Sequence, residues 1–206
     1  IPVPDGPVVK KAELEGGLIV EDIKLGDGYE VKGGGAVVAH YHGTLKADPT
    51  KVFDSSFQRG EPVAFPLSGV IKGWTNGVPG MKVGGVRRLT IPAAMAYGER
   101  SPSPEIPANS DLVFVIELVD ALQIVDTKEG EGEAAGGQCV AVTTYTIKDK
   151  DGKEIEKADA AKPYIWLPGE YQAMQFGLDG MKVGGHRTLK VPAQMNQTNP
   201  QAQSSR

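Results

Sequence analysis

The chain has 206 residues, with 22 Lys and Arg against 26 Asp and Glu and a formal net charge of −4. This balance argues against a nucleic-acid-binding protein, which would carry a basic face. Its 27 Gly, 15 Pro and 40% hydrophobic residues indicate short strands and tight turns around a buried core. The single cysteine, Cys139, excludes an intramolecular disulfide framework. No apolar run approaches the roughly 20 residues of a membrane helix, so no membrane span is predicted.

The predicted elements of the first half are mostly strands. Residues 1–16, with three early prolines, are expected to form an extended arm. One short helix is predicted over 70–76, and Gly84-Gly85 predicts a tight turn. The expected architecture is α+β, an antiparallel sheet wrapped around a short helix. Apolar and β-branched runs between Gly, Pro and Asp clusters predict strands at 18–23, 37–45, 63–66, 86–91 and 112–122.

The second half of the chain repeats the first. Residues 80–95 and 180–195 are identical at eleven of sixteen positions, which predicts two tandem copies of one fold. The second copy is expected to be incomplete because it has no counterpart of the strand at 112–122. The predicted segments are an arm at 1–16, a domain at 17–122, a degenerate domain at 123–195 and a polar tail at 196–206.

The sequence contains little support for metal binding, nucleophilic catalysis or nucleotide binding. His40 and His42 would share one face of a strand, but no third ligand lies nearby, so we interpret them as residues of a half-exposed face. Cys139 lacks a supporting motif for nucleophilic catalysis. Residues 33–35 (GGG) precede a strand, not a helix, and so do not form a phosphate loop. We predict no metal and no cofactor.

Aromatic side chains flanking one acid, Asp54, are the strongest chemical signal. They could simply form the core, but Tyr and Trp carry polar groups that need partners when buried. A concave apolar surface with a few polar groups is the usual form of a small-ligand pocket. The aromatic residues are Tyr41, Phe53, Phe65, Trp74, Tyr97 and Phe114.

Several motifs in residues 17–122 resemble the FKBP-type peptidyl-prolyl cis-trans isomerases. They are HYHGTL (40–45), KVFDSSFQRGEPVAFPL (51–67), GVIKGW (69–74), LTIPAAMAYG (89–98) and IPANSDLVFVIEL (106–118). The segment LSGVIKGW is most similar to the bacterial, macrophage-infectivity-potentiator-like branch. That branch and the start at Ile1 favour a periplasmic or exported bacterial setting.

The resemblance implies an enzyme that accelerates rotation about X–Pro bonds in protein folding, without a cofactor. The implied partners are proline-containing unfolded or nascent polypeptides, and the implied ligands include macrolides such as tacrolimus or rapamycin. The alternative is a chaperone or peptide-binding module with little or no isomerase turnover. Saturable acceleration of X–Pro exchange would separate the first function from the second.

The resemblance also implies roles for individual residues. Two features depart from the family's pattern. Val63 stands where many members carry an aromatic residue, and the loop at 99–105 lacks the family's frequent His and Gly. These departures are expected to affect substrate preference and macrolide affinity. The implied catalytic residues are Asp54, Tyr97, Trp74, Phe53 and Ile71. The implied substrate-binding residues are Tyr41, Arg59, Val63, Val70, Ile106 and Phe114.

In the second repeat the aligned positions differ. Phe53-Asp54 becomes Ile155-Glu156, Trp74 becomes Met174, Tyr97 becomes Gln197 and Tyr41 becomes Thr143. The alignment therefore predicts that this copy has lost the pocket and is inactive.

Overall fold

The computed structural model describes residues 1–136 and 138–197. Its contacts divide the chain into two units: Ile1–Ile124 with Leu189–Gln194, and Val125–Thr188 with the chain from Met195 onward. Of the predicted polar tail at 196–206, residues 198–206 lie outside the described residues. None of the helices in the described ranges is both long and apolar enough to cross a membrane.

The first unit contains one antiparallel sheet. Its strands lie in the order β1-β2-β6-β7-β3-β4, and β5 also pairs with β3. The longest ladder joins β3 to β7, from Val37 opposite Ala121 to Leu45 opposite Leu112. The last strand of the unit therefore lies in the middle of the sheet. The strands are β1 (Lys10–Leu14), β2 (Leu18–Lys24), β3 (Ala36–Leu45), β4 (Val52–Ser55), β5 (Val63–Pro66), β6 (Val86–Ile91) and β7 (Leu112–Ala121).

The five predicted strands are confirmed to within one residue at each end. β7 shows why the pattern is informative: Leu112, Phe114, Ile116 and Leu118 are buried, and the residues between them are less so. This is the period of two that a pleated strand imposes on its side chains. The predicted turn at Gly84-Gly85 is also confirmed, with Gly84 at a φ of 88°.

Two strands and one helix of the first unit were not predicted. β1 lies within the predicted arm; it pairs with β2, although four of its five residues are exposed. β4 is a four-residue strand against one end of β3, and the helix α1 (Ser56–Arg59) follows it directly. β1 and β4 are short and lack a buried apolar stripe, so they form through pairing with neighbouring strands and not through their own pattern. α1 has only four residues, too few for a helical pattern to be recognised in the sequence.

The short helix predicted at 70–76 is observed as α2 (Lys72–Gly77). It begins two residues late because Ile71, which caps it, has an extended ψ of 150°. α2 packs against β2 and β6. A Cβ on its Gly73 would lie 2.5 Å from two side-chain atoms of Ile91, so a glycine is needed for this close approach. Single 3-10 turns lie at Glu15–Gly17, Ala93–Met95 and Ala193–Met195.

A buried ion pair ties α2 to the sheet. The Arg87 guanidinium donates from Nε to Asp22 Oδ1 at 2.7 Å and from Nη2 to Asp22 Oδ2 at 3.2 Å. Its Nη1 donates to the carbonyl oxygens of Gly77 at 2.8 Å and Pro79 at 3.2 Å. Both charged residues are buried, so these hydrogen bonds offset the cost of removing the charges from water.

Beyond β7, the described part of the chain has strands that pair two by two. The ladders are β8–β15, β9–β14, β10–β13 and β11–β12. The helix α3 (Gln172–Leu178) lies between β13 and β14 in the sequence. The strands are β8 (Gln123–Lys128), β9 (Glu131–Ala134), β10 (Ala141–Thr143), β11 (Tyr145–Lys148), β12 (Glu154–Ala158), β13 (Tyr164–Trp166), β14 (Lys182–Val183) and β15 (His186–Lys190).

Within the second unit, Arg187 makes the same kinds of contact as Arg87. It donates to both carboxylate oxygens of Asp126, at 2.6 and 3.0 Å. It also donates to the carbonyl oxygens of Gly177 at 2.8 Å and Asp179 at 2.9 Å. The Asp126 side chain is 51% exposed, whereas that of Asp22 is 6% exposed.

Candidate functional site

Five aromatic rings of the first unit pack together on one face of the sheet and on α2. Trp74, on α2, makes edge-to-face contacts with Tyr41, Phe65 and Phe114 at centroid distances of 5.8, 5.2 and 5.4 Å. Phe53, on β4, packs edge-to-face on Phe114 at 5.5 Å. Such contacts are worth about 0.5–1.5 kcal/mol each beyond the area buried. Trp74, Tyr41 and Phe114 belong to the core, and Phe53 and Phe65 pack against it partly exposed. We call these five rings the ring cluster.

Gly43 makes room for two of these rings. A Cβ at this position would lie 2.6 Å from two ring atoms of Phe53 and 2.8 Å from one of Phe114. Any other residue would therefore displace the rings. An isolated glycine inside a predicted strand is the sequence signal for such a close approach, and the sequence analysis missed it.

An acid and a guanidinium adjoin the cluster through the Tyr41 hydroxyl. The hydroxyl donates to Asp54 Oδ2, and Arg59 donates to Asp54 Oδ1 at 2.5 Å and to the Tyr41 oxygen at 2.8 Å. Asp54 comes from β4 and Arg59 from the end of α1. The hairpin and the helix that follows it thus place all three groups beside one another.

The pKa values of Tyr41 and Asp54 move in opposite directions. Burial tends to raise the pKa of Asp54, but the hydrogen bonds from Tyr41 and Arg59 and the charge of Arg59 outweigh it and hold that pKa below 3.8. Burial and the hydrogen bond to Asp54 raise the pKa of Tyr41 above 10.0. At neutral pH the site therefore presents an ionised carboxylate and a protonated phenol.

The remaining predicted residues surround the cluster at different depths. Ile106 is buried in the same core, and Val63, Val70 and Ile71 pack against it partly exposed. Tyr97 is 38% exposed. Among the described residues, it makes no ring contact with the cluster. The structure thus brings together the other ten of the eleven predicted site residues.

His40 and Ser56 are a buried pair behind the site. The prediction that His40 lies on a half-exposed face is wrong: it is 7% exposed and stacks on Phe57 at 4.9 Å. Its Nδ1 lies 3.0 Å from Ser56 Oγ, which also accepts the Tyr41 N–H at 2.7 Å. Ser56 therefore fixes the backbone that carries Tyr41. His42 is partly exposed, as predicted, and contacts Ser55 Oγ at 3.0 Å.

In the second unit the predicted alignment of Tyr41 with Thr143 is wrong. Ile147 lies opposite Glu156 in the β11–β12 ladder, as Gly43 lies opposite Asp54 in β3–β4. The tyrosine two residues earlier is Tyr145, and its hydroxyl donates to Glu156. A tyrosine–acid pair is therefore present here. Met174 lies in α3, as Trp74 lies in α2.

Comparison with known proteins extends this description of the first unit. Residues 28–119 match the model of the FKBP-type peptidyl-prolyl cis-trans isomerase family. The chain is 45% identical over 104 residues to the "Probable FK506-binding protein" of Corynebacterium glutamicum, covering 50% of this chain and 86% of that protein. It is 50% identical over 117 residues to a peptidyl-prolyl cis-trans isomerase of Saccharomyces cerevisiae, covering 53% and 82%.

Other relatives share a smaller fraction of their length. The chain spans about a quarter of several curated relatives that it matches. The crystal structure of FkpA from Escherichia coli is 42% identical, with a TM-score of 0.49, over 54% of this chain and 51% of that one. Because two relatives with at least 45% identity are covered over more than four-fifths of their length, the family predicted from the sequence motifs is confirmed. The chain belongs to the FKBP-type peptidyl-prolyl cis-trans isomerases.

Proposed function

We propose that the first unit accelerates cis–trans isomerisation of X–Pro bonds in unfolded or nascent polypeptides. The observation that carries this proposal is the ring cluster beside the hydrogen-bonded Tyr41, Asp54 and Arg59 side chains. Relatives that match about half of this chain are named peptidyl-prolyl cis-trans isomerases. Some relatives are named FK506-binding proteins, which supports macrolides such as tacrolimus or rapamycin as ligands of the same pocket.

The reaction needs neither a nucleophile nor proton transfer. Amide resonance imposes a barrier of about 18–20 kcal/mol, and in the twisted transition state the amide loses that resonance. A site that binds the twisted, less polar amide better than the planar one lowers the barrier. The prolyl ring would lie in an apolar box formed by Trp74, Phe53, Ile71 and Phe114, with Val63, Val70 and Ile106 bordering it.

Polar groups would then orient the flanking chain. Asp54, held by Tyr41 and Arg59, would direct its dipole towards the rotating carbonyl. The Tyr97 hydroxyl, which has no hydrogen-bond partner among the described residues, and the Ile71 N–H would bind neighbouring carbonyls. Because Asp54 is held from two sides, it needs little reorganisation during the reaction.

The test is cis–trans exchange in a short X–Pro peptide with the full chain. Asp54→Ala and Trp74→Ala should each lower kcat/KM at least about tenfold, the loss typical of a group that acts in the transition state. Val119→Ala is the control, because Val119 is an exposed apolar residue of the same unit. Full activity in both site variants would refute the assignment. Suppression of aggregation without rate enhancement by the unchanged chain would favour the chaperone alternative.

The second unit is proposed to be an incomplete copy of the first, within 123–195. The matching contacts of Arg87 and Arg187 support this. So do Gly26 and Gly130, where a Cβ would lie 2.3 and 2.4 Å from the carbonyl oxygens of Lys82 and Lys182. We propose that this copy holds clients without turnover. The macrophage-infectivity-potentiator-like branch and an exported bacterial location remain predictions from the sequence.

A further inference from the structure

The chain leaves strand β4 at the point where the strand would meet Tyr41. The β3–β4 ladder pairs His42 with Ser55. The next pair would join Tyr41 to residue 56, but β4 ends at Ser55 and the helix α1 begins at Ser56. The backbone of Ser56 therefore does not continue the ladder, and the Tyr41 backbone needs another partner on this side of β3.

The Ser56 hydroxyl is that partner. Its oxygen accepts the Tyr41 N–H at 2.7 Å, and it lies within donating distance, 3.3 Å, of the Tyr41 carbonyl oxygen. His40 Nδ1 lies 3.0 Å from the same hydroxyl oxygen. Because Ser56 is 0% exposed, bulk water cannot replace these contacts. Removal of the hydroxyl would leave the buried Tyr41 N–H without this acceptor.

The helix that begins with Ser56 also holds the other end of Tyr41. Arg59, the last residue of α1, donates at 2.8 Å to the Tyr41 hydroxyl oxygen. The Tyr41 hydroxyl in turn donates to Asp54. One short helix thus binds Tyr41 at its backbone and at its phenol. These two contacts fix the direction of the phenol, since a side chain on a fixed backbone has few low-energy rotamers.

The neighbouring serine makes a different contact. Ser55 is 3% exposed, and its Oγ lies 3.0 Å from His42 Nδ1. It is therefore a buried serine whose hydroxyl contacts a histidine ring, as Ser56 is, whereas the Ser56 hydroxyl also bonds the backbone of Tyr41. Removing each hydroxyl in turn separates the loss of a buried hydrogen bond from the loss of support for Tyr41.

We propose that Ser56 is a positioning residue for X–Pro isomerisation. Its hydroxyl holds the backbone of Tyr41, and the Tyr41 hydroxyl holds the Asp54 carboxylate. This role rests on the proposed function, because Ser56 would act in the same reaction. Being buried, Ser56 acts through Tyr41 and Asp54 on the twisted amide, and not on the apolar box that binds the prolyl ring.

The kinetic test compares Ser56→Ala with Ser55→Ala in the full chain. Ser56→Ala should lower kcat for a short X–Pro peptide about tenfold, because small displacements in a catalytic site reduce the rate strongly. KM should change less than about twofold, because the apolar box remains, and Ser55→Ala should change neither constant by more than about twofold. Rates are expressed per folded protein, with the folded fraction taken from urea unfolding. Equal effects of the two substitutions would overturn the proposal.

A second pair of variants isolates the hydroxyl from the shape of the side chain. Ser56→Thr and Ser56→Val add side chains of nearly the same shape, but only Thr can accept the Tyr41 N–H. Crowding is therefore common to both variants. We expect kcat to be about fivefold or more higher for Ser56→Thr than for Ser56→Val, as one hydrogen bond would give. Equal kcat values in this pair would count against the hydroxyl.

The Asp54 carboxylate reports on the position of Tyr41 without any peptide. Burial tends to raise the pKa of Asp54, but the hydrogen bonds from Tyr41 and Arg59 hold it below 3.8. Ser56→Ala should therefore raise this pKa in an NMR titration of the Asp54 carboxyl carbon, and Ser55→Ala should not. An unchanged Asp54 pKa in Ser56→Ala would overturn the proposal. If the unchanged chain lacks isomerase activity, the proposed function fails and with it the part of Ser56 in the reaction, and the titration still decides whether Ser56 holds Tyr41.

Discussion

Gly43→Ala tests the geometry of the ring cluster most directly. The new Cβ would lie 2.6 Å from two ring atoms of Phe53, whereas ordinary contact begins at 3.4 Å, so that ring has to move by about 0.8 Å. Forcing a methyl group into packed surroundings costs about 1–3 kcal/mol. The free energy of unfolding, measured with urea, should fall by that amount.

The same displacement should reduce isomerase activity. A misplacement of about 1 Å in a catalytic site can cost about 100-fold in rate, so we expect kcat/KM for an X–Pro peptide to fall by about tenfold or more. Gly33→Ala is the matched control, since a Cβ at Gly33 meets nothing within 4 Å. Adding Phe53→Leu to Gly43→Ala should recover part of the lost stability. If Gly43→Ala behaves like Gly33→Ala in both assays, Phe53 and Phe114 do not adjoin Gly43.

Acidification should destabilise the first unit through Asp54. Its folded-state pKa lies below 3.8, so its contribution is complete above that value and is lost as the pH falls through the folded-state pKa. In the Asp54→Asn variant, the free energy of unfolding measured with urea should fall less steeply as the pH is lowered. An unchanged slope would contradict the hydrogen bonds of Asp54 with Tyr41 and Arg59. Asp22→Ala should cost about 3–5 kcal/mol because it leaves Arg87 charged and buried. Asp126→Ala should cost less, because water replaces a carboxylate that is 51% exposed; equal losses in urea unfolding would count against this account.

The sequence alone predicts those strands in which buried and more exposed side chains alternate. β7 alternates buried and less buried residues along its length, and the pattern alone locates such a strand. β1 and β4 show no such sorting, because one is nearly all exposed and the other has a single buried residue. β1 and β4 form because they pair with neighbouring strands, and a local sequence pattern does not reveal which segment a strand will pair with.

The candidate site likewise has residues that the sequence predicted and residues that it did not. Motif resemblance predicted four members of the ring cluster, Tyr41, Phe53, Trp74 and Phe114, because each lies within a motif of the family; it gave no site role to Phe65. The alignment with the second unit failed at Tyr145 because the ladder register differs by two residues from the alignment. Loops tolerate insertions. A single constant difference in residue number therefore cannot align every position of the second unit with its counterpart in the first. The contacts of Ser56 depend on how strands meet in space, which spacing in the sequence does not encode. Gly43 signals a close approach because it is an isolated glycine in a strand, but the sequence does not say which rings approach it.

The central place of β7 has a consequence for the order in which the site forms. Tyr41 lies on β3 and Phe114 on β7, and the ladder between them joins residues from Val37–Ala121 to Leu45–Leu112. Contacts so distant along the chain form slowly, because a long loop must close first. During synthesis, β3 and β6 must wait for residues 112–121 before either gains its central neighbour. The apolar box therefore cannot be completed before residues 112–121 have been synthesised and have paired with β3 and β6.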